Sequence, residues 1–446
     1  MTRRLFVPLN LCAGAMAIAG IMYGFDVSVM AGAILYLEAD FGLSEGSEEW
    51  VVSSILLGAT LGALLGGIIA DRYGRRAAMI VVAASAVAGV AIITVSPGVG
   101  LLVAGRLVQG FAVGAISVCS PLYLAEIAPN QIRGLLVGLY SFGIQVGVLL
   151  GYVSGLAFAD SGDWRLMLGF GILPALALAI AVPFLPETPR WLLQRNHRQK
   201  ARRVLAHLRG SDAVDADIQA MEQQIAQQSS RWADLLAPGI AMIMLVGIGL
   251  AIFREITGFA IATLYSPTLL EQAGHEPDRV DILASVGVGS MFVAAAVVAM
   301  LLVDRLGRRP MLLSGMAIMT VSIGALGLAF ALLPVSPLLA WIAVACLAAC
   351  AAGFSLGPGP VVFLLVAEIY PRRIRARAMG VAMLALWLSF WLNARLFLSS
   401  VEALGTAGAL WLHAGFGVAA LVFIFLAVPE TKGRGLEEIE AEHAAR

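Results

Sequence analysis

Long apolar stretches, many of about 20 residues, alternate with short charged segments along the whole sequence. A helix of about that length crosses the hydrocarbon core of a bilayer. Charged residues make up 13% of the chain, whereas soluble domains carry about 25%. Because backbone polar groups in lipid must be satisfied within their own segment, each stretch is predicted to be a transmembrane helix. The predicted fold class is an all-α polytopic membrane protein.

The apolar stretches predict twelve spans, and the lysines and arginines predict their orientation. Only Arg165 and Arg279 lie in the loops on one side, whereas the other basic residues outside the spans lie on the opposite side. By the positive-inside rule both termini are predicted to be cytoplasmic, in the inner (plasma) membrane. Gly258 and Gly357 predict kinks or close helix contacts rather than breaks. The predicted spans are residues 8–36, 50–70, 77–96, 100–124, 134–157, 165–186, 239–267, 281–303, 310–333, 337–366, 377–399 and 408–428.

Three short motifs each occur twice and in the same order, which indicates an internal repeat. They read Asp-Arg-x-Gly-Arg-Arg, Ala-Glu-Ile-x-Pro and Pro-Glu-Thr. The first copies begin at residues 71, 125 and 186, and the second copies begin at residues 304, 367 and 429. The chain is therefore predicted to consist of two six-helix halves.

The one sizeable polar stretch separates these halves. Ala201, Val204, Leu205 and Leu208 follow helical spacing within it and predict short amphipathic helices on the cytoplasmic side. These helices either brace the two halves or simply tether them. The predicted domains are an N-terminal bundle at residues 1–186, a linker at 187–237, a C-terminal bundle at 238–430 and a cytoplasmic tail at 431–446.

Taken together, these motifs resemble the sugar porter family of the major facilitator superfamily, which includes glucose facilitators and bacterial sugar–proton symporters. The more specific signals are Gly105-Arg106, both Ala-Glu-Ile-x-Pro copies, and the Pro-Glu-Thr segments after spans 6 and 12. The resemblance covers almost the whole chain and implies alternating access, with the halves rocking around a central site. We expect a monomer in the lipid bilayer whose partners are a small-molecule substrate and protons, with no cofactor or metal.

The repeated motifs place carboxylates and arginines at the predicted cytoplasmic helix ends. Ion pairs there are expected to hold the outward-facing state closed on the inside and to separate when it opens. The alternative is that these charges signal topology and form a solvated surface. The candidate gate residues are Asp71, Arg75, Glu126, Arg133, Glu187, Arg190, Asp304, Arg308, Glu368, Arg375 and Glu430.

Asp26 lies well inside the first span, where a carboxylate costs a few kcal/mol and is a functional candidate by default. Arg106, at the matching depth of span 4, is its predicted partner. The resemblance implies a proton-coupling role, since proton-coupled sugar porters carry an aspartate at this position and facilitative glucose transporters a neutral residue. If rocking changes the distance between the two groups or their access to water, protonation is linked to transport. The alternative is a static buried ion pair.

The predicted substrate site departs from the family pattern. Typical members have Gln-Gln-x-x-Gly-x-Asn in span 7, but here the two glutamines are Arg254 and Glu255 and the asparagine is Ala260. A buried arginine suits a carboxylate or phosphate and favours an organic anion or zwitterion. Pairing with Glu255 would instead leave a site for an uncharged sugar or polyol. The candidate substrate-binding residues are Ser141, Gln145, Arg254, Glu255, Thr257, Tyr265, Phe363, Trp387 and Arg395.

Other function classes have less support in the sequence. Many efflux antiporters of this fold carry a Gly-Pro pair in span 5, where this chain has glycines without proline. Transporter-like sensors usually carry a long signalling tail, which we do not expect here. No P-loop, dinucleotide fingerprint, nucleophile elbow or metal-ligand cluster predicts an enzyme. The formal net charge of zero suggests no nucleic-acid partner, and the four cysteines lie in apolar runs without metal or disulfide spacing.

Overall fold

The computed structural model describes residues 9–129, 132–209, 211, 213–226, 235, 237, 240–274, 279–371 and 374–430. These residues form helices and connections between them, with no strand among them. The predicted tail at 431–446 lies outside the described residues, as does part of the predicted linker. The side chains of Arg133 and Asp304, two gate candidates, also lie outside the description.

The first half contains seven α-helices, and three short helices follow it. The first half comprises α1 (Leu9–Phe41), α2 (Glu45–Tyr73), α3 (Arg75–Thr94), α4 (Val99–Ile127), α5 (Arg133–Ala157), α6 (Trp164–Gly169) and α7 (Ile172–Ala181). The short helices are α8 (Pro189–Gln194), α9 (Arg198–Arg209) and α10 (Asp215–Ala226). They share a small apolar core of their own that includes Leu193, Leu205 and Ile218.

The second half contains α11 (Ile240–Ile256), α12 (Phe259–Leu264), α13 (Ser266–Gln272), α14 (Arg279–Leu306), α15 (Arg308–Leu332), α16 (Pro337–Leu356), α17 (Pro358–Ile369) and α18 (Arg375–Ala427). Here α1 packs against α12 and α13, α2 against α18, and α5 against α14, so that the two halves meet along these helices.

Eleven stretches of the described residues are long, helical and apolar enough to cross a bilayer, three of them composed of two or more consecutive helices. The last of the eleven contains Gly405, whose φ of 73° and ψ of 162° are not helical. The predicted spans 377–399 and 408–428 lie on either side of this residue. Glycine tolerates the positive φ that interrupts the helix between them. The layout of twelve spans in two halves is therefore confirmed.

The close helix contacts expected at Gly258 and Gly357 are present, since an added Cβ would lie 2.9 Å from Ile323 Cγ1 and 2.6 Å from the Met311 carbonyl oxygen respectively. The expectation that spans 7 and 10 are not broken there is wrong. Helix α11 ends before Gly258, whose φ is 124°, and α12 begins directly after it. Helix α16 likewise ends before Gly357, and α17 begins at Pro358. Non-helical backbone at this depth is tolerated where it is enclosed by protein. Both breaks lie in the helices that surround the candidate substrate residues.

Glycines allow the helices of the first half to approach one another closely. A Cβ atom at Gly62 of α2 would lie 2.1 Å from the carbonyl oxygen of Phe111, and one at Gly114 of α4 would lie 1.8 Å from that of Ala59. Small residues at such crossings let backbones touch, which is how helices gain packing energy in lipid. The same crossing fixes the position of α4, which carries Arg106.

We predict that Gly62→Ala destabilises the protein by about 1–3 kcal/mol, because the added methyl group cannot fit against α4. The matched control is Gly67→Ala on the same helix, where the nearest atom to the new Cβ is Val118 Cγ1 at 4.0 Å. Thermal unfolding in detergent, followed by tryptophan fluorescence, should show a lower Tm for the first variant only. Equal Tm values for both variants would contradict this account of the α2–α4 contact.

Candidate functional site

Asp26 is buried in α1, and its carboxylate contacts an amide rather than a guanidinium. The Nε2 atom of Gln109 donates a hydrogen bond of 2.8 Å to Asp26 Oδ1. Arg106 is fully buried and donates to two backbone oxygens, those of Asp26 at 3.3 Å and Val52 at 3.3 Å. The structure thus brings the predicted proton-coupling pair together, but Arg106 binds the backbone of Asp26 and not its carboxylate. A direct ion pair between the two side chains, which the alternative of a static buried pair requires, is not present in this conformation, and the proton-coupling role of the two residues stays a prediction.

Gln109 was not a candidate in the sequence. It follows Arg106 by three residues on α4, so the two side chains lie on one face of the helix. The signal in the sequence is a glutamine within an apolar span. A buried amide, like a buried charge, needs a hydrogen-bonding partner, so this residue could have been identified as a candidate.

Arg254 and Glu255 lie side by side at the end of α11, and both are buried. The guanidinium of Arg254 pairs with the carboxylate of Glu255. It also lies over the rings of Phe354 and Phe363, 4.8 Å from each centroid. The structure therefore resolves the pairing that the sequence left open, and the two opposite charges compensate each other. The aromatic rings add a cation–π contribution to holding the guanidinium.

Three other predicted substrate residues use part of their hydrogen-bonding capacity on contacts within the protein. Trp387 of α18 donates from Nε1 to Ser117 Oγ of α4 at 3.2 Å, which connects the two halves. Tyr265 donates to the carbonyl oxygen of Ala394 at 2.6 Å. Thr257 donates to the carbonyl oxygen of Phe253 in α11 at 2.8 Å. These three residues position backbone and rings around the site.

Several buried polar atoms near the centre remain without a hydrogen-bonding partner in the described part of the chain. They include Gln145 Oε1, Tyr140 Oη and Glu255 Oε2. The charge of Arg254 interacts with Tyr23 and Tyr140, so these side chains from both halves face one region. Ser141, the remaining candidate, is half-buried on α5. The unsatisfied atoms of Tyr140 and Glu255 lie near Arg254, and buried polar atoms of this kind require a ligand or water.

Arg395, predicted for the substrate site, is instead engaged elsewhere. It pairs with the carboxylate of Glu49, a fully buried residue of α2 that sequence reasoning did not identify. Glu49 also accepts hydrogen bonds from the Ser399 backbone N–H at 2.8 Å and from its hydroxyl. We name the set of Glu49, Arg395 and Ser399 the inter-half link. It joins α2 to α18 at the end of α2 opposite to the Asp71 motif.

The repeated motifs form the same helix N-terminal cap in both halves. In the first half, Glu187 accepts hydrogen bonds from the backbone N–H groups of Arg75 at 2.9 Å and Arg76 at 3.2 Å, and so caps α3. In the second half, Glu430 accepts from the N–H groups of Arg308 at 3.2 Å and Arg309 at 3.1 Å, and so caps α15. A carboxylate at a helix N-terminus is favoured by the helix dipole.

The glycine of the Asp-Arg-x-Gly-Arg-Arg motif is required by these caps. Gly74 has a φ of 104° and Gly307 a φ of 96°, values that side chains disfavour. A Cβ at Gly74 would lie 2.2 Å from Glu187 Oε2, and one at Gly307 would lie 2.8 Å from Glu430 Oε2. Burial raises the pKa of Glu187, and the N–H groups of Thr188, Arg75 and Arg76 lower it.

The side chains of the gate candidates also interact within each half. Arg75 bonds to Glu126 at 2.9 Å and to Asp71 at 3.1 Å. Thr188 donates to the second oxygen of Glu126 at 2.6 Å. In the second half Arg308 lies 3.5 Å from Glu368, and Arg375 donates to the carbonyl oxygen of Tyr370 at 3.1 Å. Arg190 lies in the first turn of α8. A gating role for this set stays a prediction.

Comparison with known proteins gives consistent matches over the full chain. The model of the family described as "Sugar (and other) transporter" matches residues 12–443. The chain is 34% identical to the glucose transporter GlcP of Staphylococcus epidermidis, over 96% of this chain and 95% of that protein. It is 33% identical to the arabinose-proton symporter of Escherichia coli K12, over 98% and 93% respectively. The partially occluded inward-open structure of the xylose transporter XylE from E. coli superposes with a TM-score of 0.83 at 27% identity. The superposition covers 96% of this chain and 99% of that one.

We predict that Glu49→Gln opens the inter-half link, since it removes the charge that holds Arg395 and weakens the acceptors for Ser399. Breaking a buried charge pair costs several kcal/mol, so the ratio of closed to open molecules at this end should fall at least about tenfold. Spin-label distances between α2 and α18 report the change. Glu402→Gln, at an exposed position of α18, is the control. Unchanged distances in the first variant would show that the link does not hold the halves together.

Proposed function

Because the chain belongs to the family of sugar and other transporters, we propose that it is a proton-coupled symporter that carries a sugar or polyol across the membrane by alternating access. The names of its relatives support both parts of the proposal, since one is a glucose transporter and another an arabinose-proton symporter. We further propose an inner-membrane location with both termini cytoplasmic, which the positive-inside rule supports.

The observation that carries the proton coupling is the burial of Asp26. Its carboxylate lies inside a transmembrane helix, next to Arg106 but without a direct contact to that guanidinium. An isolated carboxylate at this depth is costly when ionised and less costly when protonated. A conformation that opens Asp26 to water therefore favours release of the proton, and one that closes around it favours the protonated form. Because the site opens to the two solutions in turn, each transport cycle then carries a proton across the membrane.

The observation that supports an uncharged substrate is the pairing of Arg254 with Glu255. The pair leaves the site without net charge, whereas an organic anion would need a free cation to offset its desolvation. Glu255 and Gln145 each offer an acceptor, and Tyr140 offers a hydroxyl that both donates and accepts. Such a set matches the hydroxyl groups of a sugar. An organic anion or zwitterion is the second candidate, favoured by the unpartnered Nε of Arg254.

The halves at residues 1–186 and 238–430 are proposed to rock about this site, joined by the linker at 187–237. The caps at Glu187 and Glu430 keep each half rigid, while the inter-half link closes one end. In the proposed orientation that end faces away from the cytoplasm. With the inter-half link formed, the structure then corresponds to a conformation closed on the outside.

We expect Asp26→Asn to abolish uphill accumulation while it preserves exchange of solute between the two sides. An asparagine cannot take up a proton, so the downhill proton flow no longer drives the solute. Liposomes with purified protein, an imposed pH step and a panel of labelled sugars, polyols and organic acids measure accumulation, and counterflow without a pH step measures exchange. Accumulation should fall at least tenfold, and the exposed linker variant Asp217→Asn should leave it unchanged. Full accumulation by Asp26→Asn would refute proton coupling at this residue.

A second experiment distinguishes the two substrate classes. Arg254→Gln alone leaves Glu255 buried without its partner, which costs about 3–5 kcal/mol, and should reduce sugar transport more than a hundredfold. The double variant Arg254→Gln with Glu255→Gln removes both charges and replaces them with amides that suit hydroxyl groups. We expect it to recover most of the sugar transport. If the double variant instead loses an organic-anion activity that the natural protein shows, Arg254 binds the solute and the sugar proposal is wrong.

A further inference from the structure

The partner of the Asp26 carboxylate is an amide with an unused acceptor. Gln109 is 1% exposed and donates from Nε2 to Asp26 Oδ1 at 2.8 Å. The remaining oxygens of the two groups, Asp26 Oδ2 and Gln109 Oε1, are both buried and have no hydrogen-bonding partner among the described residues. Leaving two buried acceptors unsatisfied is costly, and both belong to the same contact.

One proton satisfies both of these atoms. An ionised carboxylate only accepts hydrogen bonds, so the amide presents its NH₂ group to it. A protonated carboxyl group has an O–H donor, and the amide carbonyl can accept from it. With the N–H···Oδ1 bond in place, a proton on Oδ2 would complete a second, parallel hydrogen bond to Oε1. No other bond forms or breaks, because the proton comes from one solution and leaves to the other.

The charged and titratable groups on the neighbouring helices cannot take this role. Arg106 on α4 has donors only and binds the carbonyl oxygens of Asp26 and Val52. Glu49 on α2 is engaged in the inter-half link. Tyr152 on α5 donates its hydroxyl to the carbonyl oxygen of Thr263 at 2.9 Å, and Tyr265, at the end of α12, donates to Ala394. Gln109 is therefore the side chain in contact with the carboxyl group that can accept its proton.

We propose that Gln109 is a positioning residue for the coupled proton. It donates to Asp26 when the carboxylate is ionised, and it accepts from Asp26 when the carboxyl group is protonated. The proposal rests on the proposed function, in which Asp26 carries the proton. The protonated state is then fully hydrogen-bonded with little movement of the two side chains, whereas the ionised state leaves Asp26 Oδ2 and Gln109 Oε1 unsatisfied. The proton is held on Asp26 while the site is closed to both solutions, and premature release is suppressed.

Infrared difference spectroscopy on acidification tests this contact directly. The carboxylic C=O stretch of protonated Asp26 is assigned by its loss in Asp26→Asn. In Gln109→Leu, which removes both hydrogen bonds at similar size, the band should shift to higher frequency. Ser120→Ala on the same helix removes a buried hydroxyl away from Asp26 and should leave the band in place. If the leucine variant does not fold, Gln109→Met carries the same test. A band unmoved by either substitution would overturn the proposal.

Transport provides the second measurement. Gln109→Leu removes two hydrogen bonds from the protonated carboxyl group but only one from the carboxylate, so the net loss is one hydrogen bond. The uphill accumulation ratio should therefore fall about fivefold, with counterflow unchanged because exchange needs no net proton movement. An accumulation ratio equal to that of the natural protein would count against Gln109. Failure of the two proposals can be distinguished. Full accumulation by Asp26→Asn refutes proton coupling at Asp26, whereas loss of accumulation there with an unmoved band in Gln109→Leu refutes only the role of Gln109.

Discussion

A charge buried within a bilayer must be compensated by the protein, and this constraint accounts for the polar features of the transmembrane region. Arg254 is matched by Glu255, and Glu49 by Arg395. Arg106 donates to two backbone oxygens, those of Asp26 and Val52. Asp26 differs, because its carboxylate is held by a neutral amide and has one oxygen unsatisfied. A group held in this way can change its protonation state without breaking an ion pair, which is the property that a proton carrier needs.

The same constraint divides the molecule into rigid and separable parts. Within each half, a glutamate from the end of the sixth or twelfth span caps a helix and fixes the Asp-Arg-x-Gly-Arg-Arg loop. Between the halves, the described contacts at the opposite end are concentrated in the inter-half link, where one glutamate meets an arginine and a serine. Strong bonds within the halves and few between them favour rigid-body rocking over internal rearrangement. The described contacts of the gate candidates therefore stabilise each half, and their role in closure between the halves stays a prediction.

The spans and the repeat could be predicted because hydrocarbon imposes helices and a minimum length, and both are visible in composition. The break at Gly258 was misjudged because a glycine in an apolar run is compatible with a kink, a close contact or an interruption. The pairing of Arg254 with Glu255 depends on how a long side chain folds back beside its neighbour, which spacing does not determine. Gln109 was missed because it is an isolated amide without periodicity. Glu49 was missed because it lies at the edge of a span, where charged residues are common.

In the proposed cycle, the neutral substrate site and the carboxyl group of Asp26 together define the charge that moves. With Arg106 as a guanidinium cation, ionised Asp26 and Arg106 together carry no net charge, and the two groups with Asp26 protonated carry one positive charge. Because the Arg254–Glu255 pair and an uncharged sugar add nothing, the loaded molecule would move one positive charge inward and the empty molecule would return without charge. A membrane potential contributes about 2.3 kcal/mol per 100 mV to such a charge movement. Potential and pH difference therefore act on the same loaded step, and the return step is governed by conformational energy alone.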